Sequence, residues 1–289
     1  MVALPDAAAR KTLRKILQEA GFTHCREVAN LESLAEKLAS GPVDLLITTL
    51  NERGWDSADI IRRIRQGELG NPFMLIMVLL DQPVPSVVDR VVNAGADDLL
   101  LAPWLDRLVL GRLDGLIHGR KPFLVTSDYI GPERRSHQRA VGPSAPAIEV
   151  PNPMHWLTVK SGSREELERS VEHAAAAVNL NKIKSCSNYL RVLADRVVTN
   201  FAKGGHAAII PDILVMLAAS EELVTRAANT QFAPAIELTE ALRTLCQRLA
   251  REDRAARVAE VGVLPSLADA VVTAIYNSEP EPISAALQP

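Results

Sequence analysis

Aromatic side chains and cysteines are scarce in this chain of 289 residues. Aromatic residues make up 4% of the sequence, so leucine, valine, isoleucine and alanine must fill its cores within an apolar content of 47%. The three cysteines, Cys25, Cys186 and Cys246, are odd in number, far apart and without metal-ligand spacing. This pattern argues against a disulfide framework or a zinc site and indicates reduced thiols.

A strong charge of either sign is also absent. The formal net charge is -3 and the pI is about 6.1, so no global positive field draws the protein to nucleic acid or anionic lipid. No basic segment followed by an apolar one opens the N-terminus, and the apolar run at 73–80 is far too short to cross a bilayer. These observations predict a soluble, cytoplasmic protein without a membrane segment, and the length predicts two domains.

Residues 1–118 alternate short apolar runs with amphipathic helical patterns. Continuous apolar runs at 44–50 and 73–80 are typical of strands that are buried on both faces. Weaker runs complete a set of five predicted strands, and a helical periodicity follows each strand. This alternation predicts a parallel sheet with helices on both faces.

The chain beyond residue 118 loses this alternation. Prolines are clustered between residues 143 and 153 and exclude a long helix, so we interpret 119–160 as a partly ordered, proline-rich linker. Only helical patterns remain over 161–278, and residues 279–289 are expected to form a flexible tail.

The helical region begins with a capping box, in which Ser163 and Glu166 are spaced to satisfy each other's backbone amides. Apolar stripes at three-four spacing follow, and the stretch at 179–181 could interrupt the first helix. Three prolines are expected in the first turns of later helices, where a missing amide costs nothing: Pro211, Pro234 and Pro265. Four or five helices with short connections predict a bundle.

Two motifs of the first 118 residues resemble parts of a known module. The stretch V-D-L-L-I-T-T-L-N at 43–51 is similar to the third strand of receiver domains, the phosphoacceptor modules of two-component signalling. The stretch A-G-A-D-D-L-L-L-A-P-W at 94–104 is similar to their last loop and fifth strand. The resemblance implies an α/β flavodoxin-like five-stranded parallel sheet, the receiver fold, followed here by an all-α helical bundle domain.

In receiver domains an aspartate at the end of the third strand takes the phosphoryl group, and an acidic pair after the first strand helps to hold Mg²⁺. A hydroxyl on the fourth strand and a lysine on the fifth bind the phosphoryl group. Every corresponding position departs from that pattern here. These positions are Leu4 and Pro5 for the acidic pair, Thr49 for the acceptor, Leu80 for the hydroxyl and Ala102 for the lysine.

We therefore expect a pseudo-receiver that is not phosphorylated, uses no metal or cofactor and is not an enzyme. The hydroxyl at the acceptor position cannot replace a carboxylate, because no base is evident to activate it. Leu4, Leu80 and Ala102 are expected to extend the apolar core around the former pocket. Asp6 and Asp81 lie beside the vacated positions and could form a displaced metal site, but we favour their interpretation as solvated loop carboxylates.

The segment D-Y-I-G-P-E-R-R at 128–135 is the most unusual part of the linker. Tyr129 could anchor in a pocket of a partner, while Arg134 and Arg135 bind carboxylates or phosphates. Alternatively, the same residues tie the linker to its own domain. The sequence leaves both interpretations open.

The predicted function is that of an atypical response regulator in two-component phosphorelay signalling, which acts through protein–protein interaction. Its expected partner is another signalling protein (a histidine kinase, a regulator or an output protein), and the apolar stripe of the long helix could also support a homodimer. Two alternatives stay open. A helical histidine phosphotransfer module would use His173, although alanines stand where such modules carry Lys-Gly. Nucleic acid could bind the basic residues in and beside the linker, which are His118, Arg120, Lys121, His137 and Arg139. Such a run of charges is usually a solvated surface, and the acidic pI also argues against this role.

Overall fold

Two compact units, Met1–Val178 and Asn179–Pro289, make up the chain. The computed structural model describes residues 1–51, 54–134, 147–160, 162–251 and 258–278. The first unit contains the strands, and the described part of the second contains only helices and turns.

A five-stranded parallel sheet organises the first unit. Its strands are β1 (Val2–Ala3), β2 (Glu27–Val28), β3 (Leu45–Thr49), β4 (Leu75–Leu80) and β5 (Asp98–Leu101). The strand order is β2-β1-β3-β4-β5, and every pairing in it is parallel. The two apolar runs become β3 and β4, which are buried along their whole length because both faces of the sheet are covered.

Five helices cover the two faces of this sheet. They are α1 (Ala7–Glu19), α2 (Leu31–Ala39), α3 (Ala58–Arg65), α4 (Pro85–Ala94) and α5 (Asp106–His118). Apolar residues of α1 and α5 pack on one face, and those of α2, α3 and α4 pack on the other. Asp6 and Asn30 cap α1 and α2 with their side chains, and Gly95 ends α4 in the left-handed conformation. The predicted flavodoxin-like fold is confirmed.

The described part of the expected linker is ordered and belongs to the first unit. It contains an antiparallel hairpin, β6 (Phe123–Val125) and β7 (Ile130–Pro132), and a short helix, α6 (Pro153–Thr158). Prolines exclude a long helix, but they allow three-residue strands and a six-residue helix between them. Phe123 is fully buried and packs against Phe73, so the hairpin adds to the core of the sheet unit.

A buried ionic cluster joins this segment to the sheet. The guanidinium groups of Arg65 and Arg120 donate to the two carboxylate oxygens of Asp97, at 2.6 and 2.9 Å. Both guanidinium groups also lie against the ring of Phe123, 5.2 and 4.8 Å from its centroid. Burial lowers the pKa of Arg65 to about 10. Arg120, which the sequence offered as part of a basic surface, is therefore a core residue.

One long helix, α7 (Arg164–Gly204), begins in the first unit and continues into the second. The predicted capping box is present, because Ser163 Oγ accepts from the amide of Glu166 and Glu166 Oε2 accepts from the amide of Ser163. No interruption occurs at 179–181. The division between units falls inside α7 at residue 178 and thus differs from the expected boundaries at 118 and 160, because Val178 packs with Phe123 in the core of the first unit.

The described part of the second unit contains the rest of α7, a short 3-10 helix (His206–Ala208) and three further α-helices, α8 (Ile210–Ala227), α9 (Ala233–Leu249) and α10 (Val258–Asn277). Pro211 and Pro234 lie in first turns as predicted, whereas Pro265 lies inside α10 because the apolar periodicity begins earlier, at Val261. Among the described residues, α10 is long and apolar enough to cross a membrane by length and composition, with a third of its window buried. Core helices of soluble proteins share these properties.

Candidate functional site

A cleft opens at the carboxyl edge of the sheet, where β1, β3 and β4 end. Its volume is about 670 Å³. Its described lining residues are Leu4, Pro5, Asp6, Ala9, Thr49, Asn51, Gly54, Trp55, Asp81 and Trp104. Three of the five predicted pocket positions therefore meet in one cleft, namely Leu4, Pro5 and Thr49, while Leu80 and Ala102 lie at neighbouring strand ends without lining it.

Thr49, at the position that the resemblance predicts for the phosphoacceptor, is held by hydrogen bonds. Its side-chain hydroxyl donates to the carbonyl of Leu79 at 2.6 Å, across the β3–β4 pair. Its own carbonyl accepts from the hydroxyl of Ser57 at 2.7 Å. Thr49 is 5% exposed, so its hydroxyl acts as a buried donor within the sheet. A group that is committed in this way is poorly placed to attack phosphorus.

The other predicted pocket positions divide by burial. Leu4 and Leu80 are 2% and 1% exposed and pack in the cores on opposite faces of the sheet. Pro5 and Ala102 are exposed. The expectation that Ala102 joins the apolar core is thus wrong, because it follows the last residue of β5 and enters a surface loop.

A positive charge lies behind the end of β1. Nη1 of Arg10 donates to the carbonyls of Leu4 and Pro5, at 2.6 and 2.9 Å. Its Nε lies 3.6 Å from a carboxylate oxygen of Glu27. A guanidinium group beside Leu4 and Pro5, the positions predicted for the acidic pair, opposes the entry of a divalent cation there.

Two aspartates, Asp6 and Asp81, lie at the cleft, and they do not form a metal-binding set of ligands. Asp6 caps α1, accepting the amide of Ala9 at 2.6 Å, and Asp81 is exposed. No group of three or more His, Cys, Asp or Glu residues that could hold a metal ion occurs among the described residues. Mg²⁺ demands near-octahedral oxygen coordination, which two loop carboxylates do not supply.

Two tryptophans line the cleft, and sequence reasoning assigned them no role. Trp55 is 6% exposed, and its Nε1 donates to Thr48 Oγ1 at 3.3 Å. Trp104 is partly exposed, while its Nε1 is buried and has no hydrogen-bond partner in the described part of the chain. The available signal was position, since each tryptophan follows the end of a predicted strand and the chain has only three.

The D-Y-I-G-P-E-R-R segment makes contacts within its own unit. The hydroxyl of Tyr129 donates to the carbonyl of Pro132 at 2.8 Å, and Arg134 donates to the carbonyl of Ala96. Gly131 faces Gly95 so closely that a Cβ at residue 131 would lie 2.8 Å from the Cα of Gly95. Burial raises the pKa of Tyr129. These contacts correspond to the self-tethering interpretation, and Arg135 lies outside the described residues.

The remaining candidates lie apart from the cleft. His173 is exposed on α7, in the part of that helix that belongs to the first unit. Of the basic residues named for nucleic-acid binding, Arg120 has a buried side chain, while His118 and Lys121 are exposed. His137 and Arg139 lie outside the described residues. Neither the phosphotransfer alternative nor the nucleic-acid alternative therefore gains a clustered site among the described residues that we named for them.

Comparison with known proteins adds one relative. The chain is similar to the chemotaxis protein CheY of Pseudomonas aeruginosa, with 22% identity over 105 residues. The match covers 36% of this chain and 84% of the relative. The first unit contains a receiver-like domain. No family model matches the chain, and no solved structure matches it.

Proposed function

We propose that this receiver-like protein is an atypical response regulator that is not phosphorylated and acts by binding another signalling protein. The observation that carries the proposal is Thr49, whose buried hydroxyl is donated to Leu79 at the position of the expected phosphoacceptor. Ala102 supports it further, because it stands where a receiver domain carries its phosphoryl-binding lysine. Arg10 also supports it, because its guanidinium group opposes a metal ion beside Leu4 and Pro5.

A binding role follows from what the fold retains. The sheet and its five helices are intact, so the helical surfaces through which a regulator can contact a partner are present. Leu105 and Leu108 at the start of α5 are 45% and 40% exposed and offer a small apolar surface for such a contact. The proposed partner is a histidine kinase, another regulator or an output protein, and the protein itself is not an enzyme.

The phosphorylation part of the proposal is tested by intact-mass analysis. The full chain is incubated with acetyl phosphate and Mg²⁺, and the expected spectrum contains only the unmodified mass. A stable phosphoryl adduct that peptide mapping places at the cleft, on Asp6 or Asp81, would refute it. Asp6→Asn and Asp81→Asn serve as matched controls, because the loss of the adduct in one of them would identify the acceptor.

The binding part is tested by affinity capture from the native cell. Wild-type protein is expected to retain a two-component signalling protein, and Leu105→Glu combined with Leu108→Glu is expected to release it if α5 is the contact. Equal recovery of such proteins by beads without the chain would contradict a binding role. Light scattering of the purified chain shows separately whether it forms a homodimer.

The histidine phosphotransfer alternative is favoured by one observation, the exposure of His173 on a long helix. Transfer of radiolabel from a phosphorylated kinase, lost in His173→Ala, would establish it. Nucleic-acid binding has less support, because Arg120 forms a buried ion pair with Asp97 and is not available on the surface. A salt-sensitive mobility shift with the purified chain would establish that role.

A further inference from the structure

The outer face of the α7–α8 pair in the second unit is apolar. Its exposed residues are Val192 on α7 and Pro211, Leu214, Val215 and Ala218 on α8. Val192 and Leu214 are 57% and 55% exposed. The stretch 210–220 of α8 contains one charged residue, Asp212, which is 8% exposed. About three turns of α8 therefore present no exposed charge, whereas the solvent-facing side of a helix is normally polar.

The exposed apolar residues of the two helices form one patch, which we call the α7–α8 face. Two ion pairs between the helices are Arg196–Asp212 and Lys182–Glu222. These pairs show that α7 and α8 run antiparallel, side by side. Val192 lies one turn before Arg196 and Val215 one turn after Asp212, so the two valines lie at the same level of the helix pair. Single apolar residues on a surface need no explanation, but a joined apolar patch indicates an interaction site.

Two residues of opposite charge border this face. Arg191 and Asp195 are exposed on α7, one turn apart. Neither forms an ion pair within the described part of the chain. They are centred on residue 193, which lies opposite residues 214 and 215 of α8, in the middle of the apolar row at 211–218. Because the charges and the apolar row share one centre, the surface is complementary to itself after a two-fold rotation.

We propose that the α7–α8 face joins two copies of this chain across a two-fold axis, with each α7 and each α8 antiparallel to the same helix of the other copy. The apolar residues meet at the axis, and Arg191 faces Asp195 of the partner subunit on both sides of it. A protein of another sequence would not need to match both charges about one centre, so the occupant is a second copy. The proposal gives a surface to the homodimer that the apolar stripe of the long helix predicted, and it does not depend on the absence of phosphorylation.

Sedimentation equilibrium of the full chain tests the apolar part of the interface. The wild-type chain is expected to form a dimer with a dissociation constant in the micromolar range. Leu214→Glu should raise that constant about a hundredfold, because it would bury a charge between the copies. Val263→Glu is the matched control, since Val263 is 51% exposed on α10, outside the face, and should leave the constant unchanged. A wild-type monomer at about 100 μM overturns the proposal, as do equal constants for these two variants.

Charge reversals test the antiparallel pairing. Arg191→Glu and Asp195→Arg should each raise the dissociation constant about five- to thirtyfold, because both ion pairs of the dimer become pairs of like charge. An equimolar mixture of the two variants should restore the wild-type constant, since the mixed dimer again has two pairs of opposite charge. Arg248→Glu, at an exposed arginine of α9, is the control and should change nothing. Mixing cannot repair a folding defect, so absence of recovery in variants whose circular dichroism is unchanged overturns the proposal.

The outcome is distinguishable from that of the proposed function. A chain that takes no phosphoryl group and stays monomeric leaves the proposed function standing and overturns the dimer. A chain that forms a phosphoryl adduct at the cleft but dimerises as described does the reverse.

Discussion

Removal of the carboxylate of Asp97 should destabilise the first unit more than any other single change at its charged residues described above. The carboxylate accepts from Arg65 Nη2 at 2.6 Å, from Arg120 Nε at 2.9 Å and from the amide of Ile76 at 2.8 Å. Its side chain is 1% exposed, and those of Arg65 and Arg120 are 1% and 4% exposed. Asp97→Asn keeps the shape and leaves two buried guanidinium groups without a counter-charge.

The expected loss follows from this burial. Breaking a buried ion pair by removing one partner costs about 3–5 kcal/mol, because the remaining charge is uncompensated. With a slope of about 2 kcal/mol per molar urea, the midpoint of unfolding should fall by about 1.5–2.5 M. The carbonyl groups that also accept from both arginines reduce the cost, so the lower end of this range is expected.

Tryptophan fluorescence measures this unit selectively, because all three tryptophans, Trp55, Trp104 and Trp156, lie in it. The urea midpoint of Asp97→Asn is compared with that of Asp106→Asn, whose carboxylate is exposed and should shift it little. A fall of less than about 0.5 M with an unchanged slope would refute the reasoning, since the cluster would then contribute no more than a surface ion pair.

Four further substitutions and one pH dependence follow from local geometry. Gly131→Ala places a Cβ 2.8 Å from the Cα of Gly95 and should lower the free energy of unfolding in urea by about 1–3 kcal/mol. The Cβ of Gly111→Ala, inside a helix, meets no atom within 4 Å, and this change should raise the free energy of unfolding by about 0.5–1 kcal/mol. Ser163→Ala removes the cap of α7 and should lower the urea stability by about 1 kcal/mol, while Ser163→Asp should restore it. Burial raises the pKa of Cys186 from 9.0 to about 11 and that of Cys246 to about 12. Above pH 9 the unfolded state therefore binds fewer protons than the folded state, so helix stability measured by circular dichroism should fall as pH rises from about 9 to about 11, and unchanged stability there would contradict the burial of both thiols.

The sheet could be predicted because its signal is local. Continuous apolar runs identify β3 and β4, and the turn at Gly95 fixes the end of α4 before β5. Strands β1 and β2 are only two residues long, and β2 lies at an edge of the sheet while β1 pairs on both sides. Strand existence follows from apolar content, whereas strand length depends on backbone pairing with a neighbour.

The ordered segment after α5 could not be predicted from its own residues. Its strands are three residues long, and Phe123 is buried only because it meets Phe73 and the guanidinium group of Arg120 from other parts of the chain. Charge patterning treated Arg120 as solvated, which is the usual state of an arginine. Its buried position depends on Asp97, at a sequence separation of 23, and no periodic pattern encodes such a pair.

The position of the candidate site was predicted from the sequence, but only some of its lining residues were. The resemblance placed Leu4, Pro5 and Thr49 at one cleft, as the structure has them. It supplied no expectation for Trp55 or Trp104. Only the three-dimensional structure shows that both tryptophans line the cleft.

The replacements at the cleft depend on one another, which bears on how the proposed loss of phosphorylation is maintained. Thr49 donates to Leu79 and accepts from Ser57, while the neighbouring Thr48 accepts from Trp55. A carboxylate at residue 49 would face the Leu79 carbonyl oxygen where a donor now lies, and it would be buried without a cation. Thr49→Asp would thus meet an electrostatic penalty at this site. The hydrogen bonds of Thr48 and Thr49 therefore stabilise the end of β3 with a threonine at residue 49 and oppose a carboxylate there.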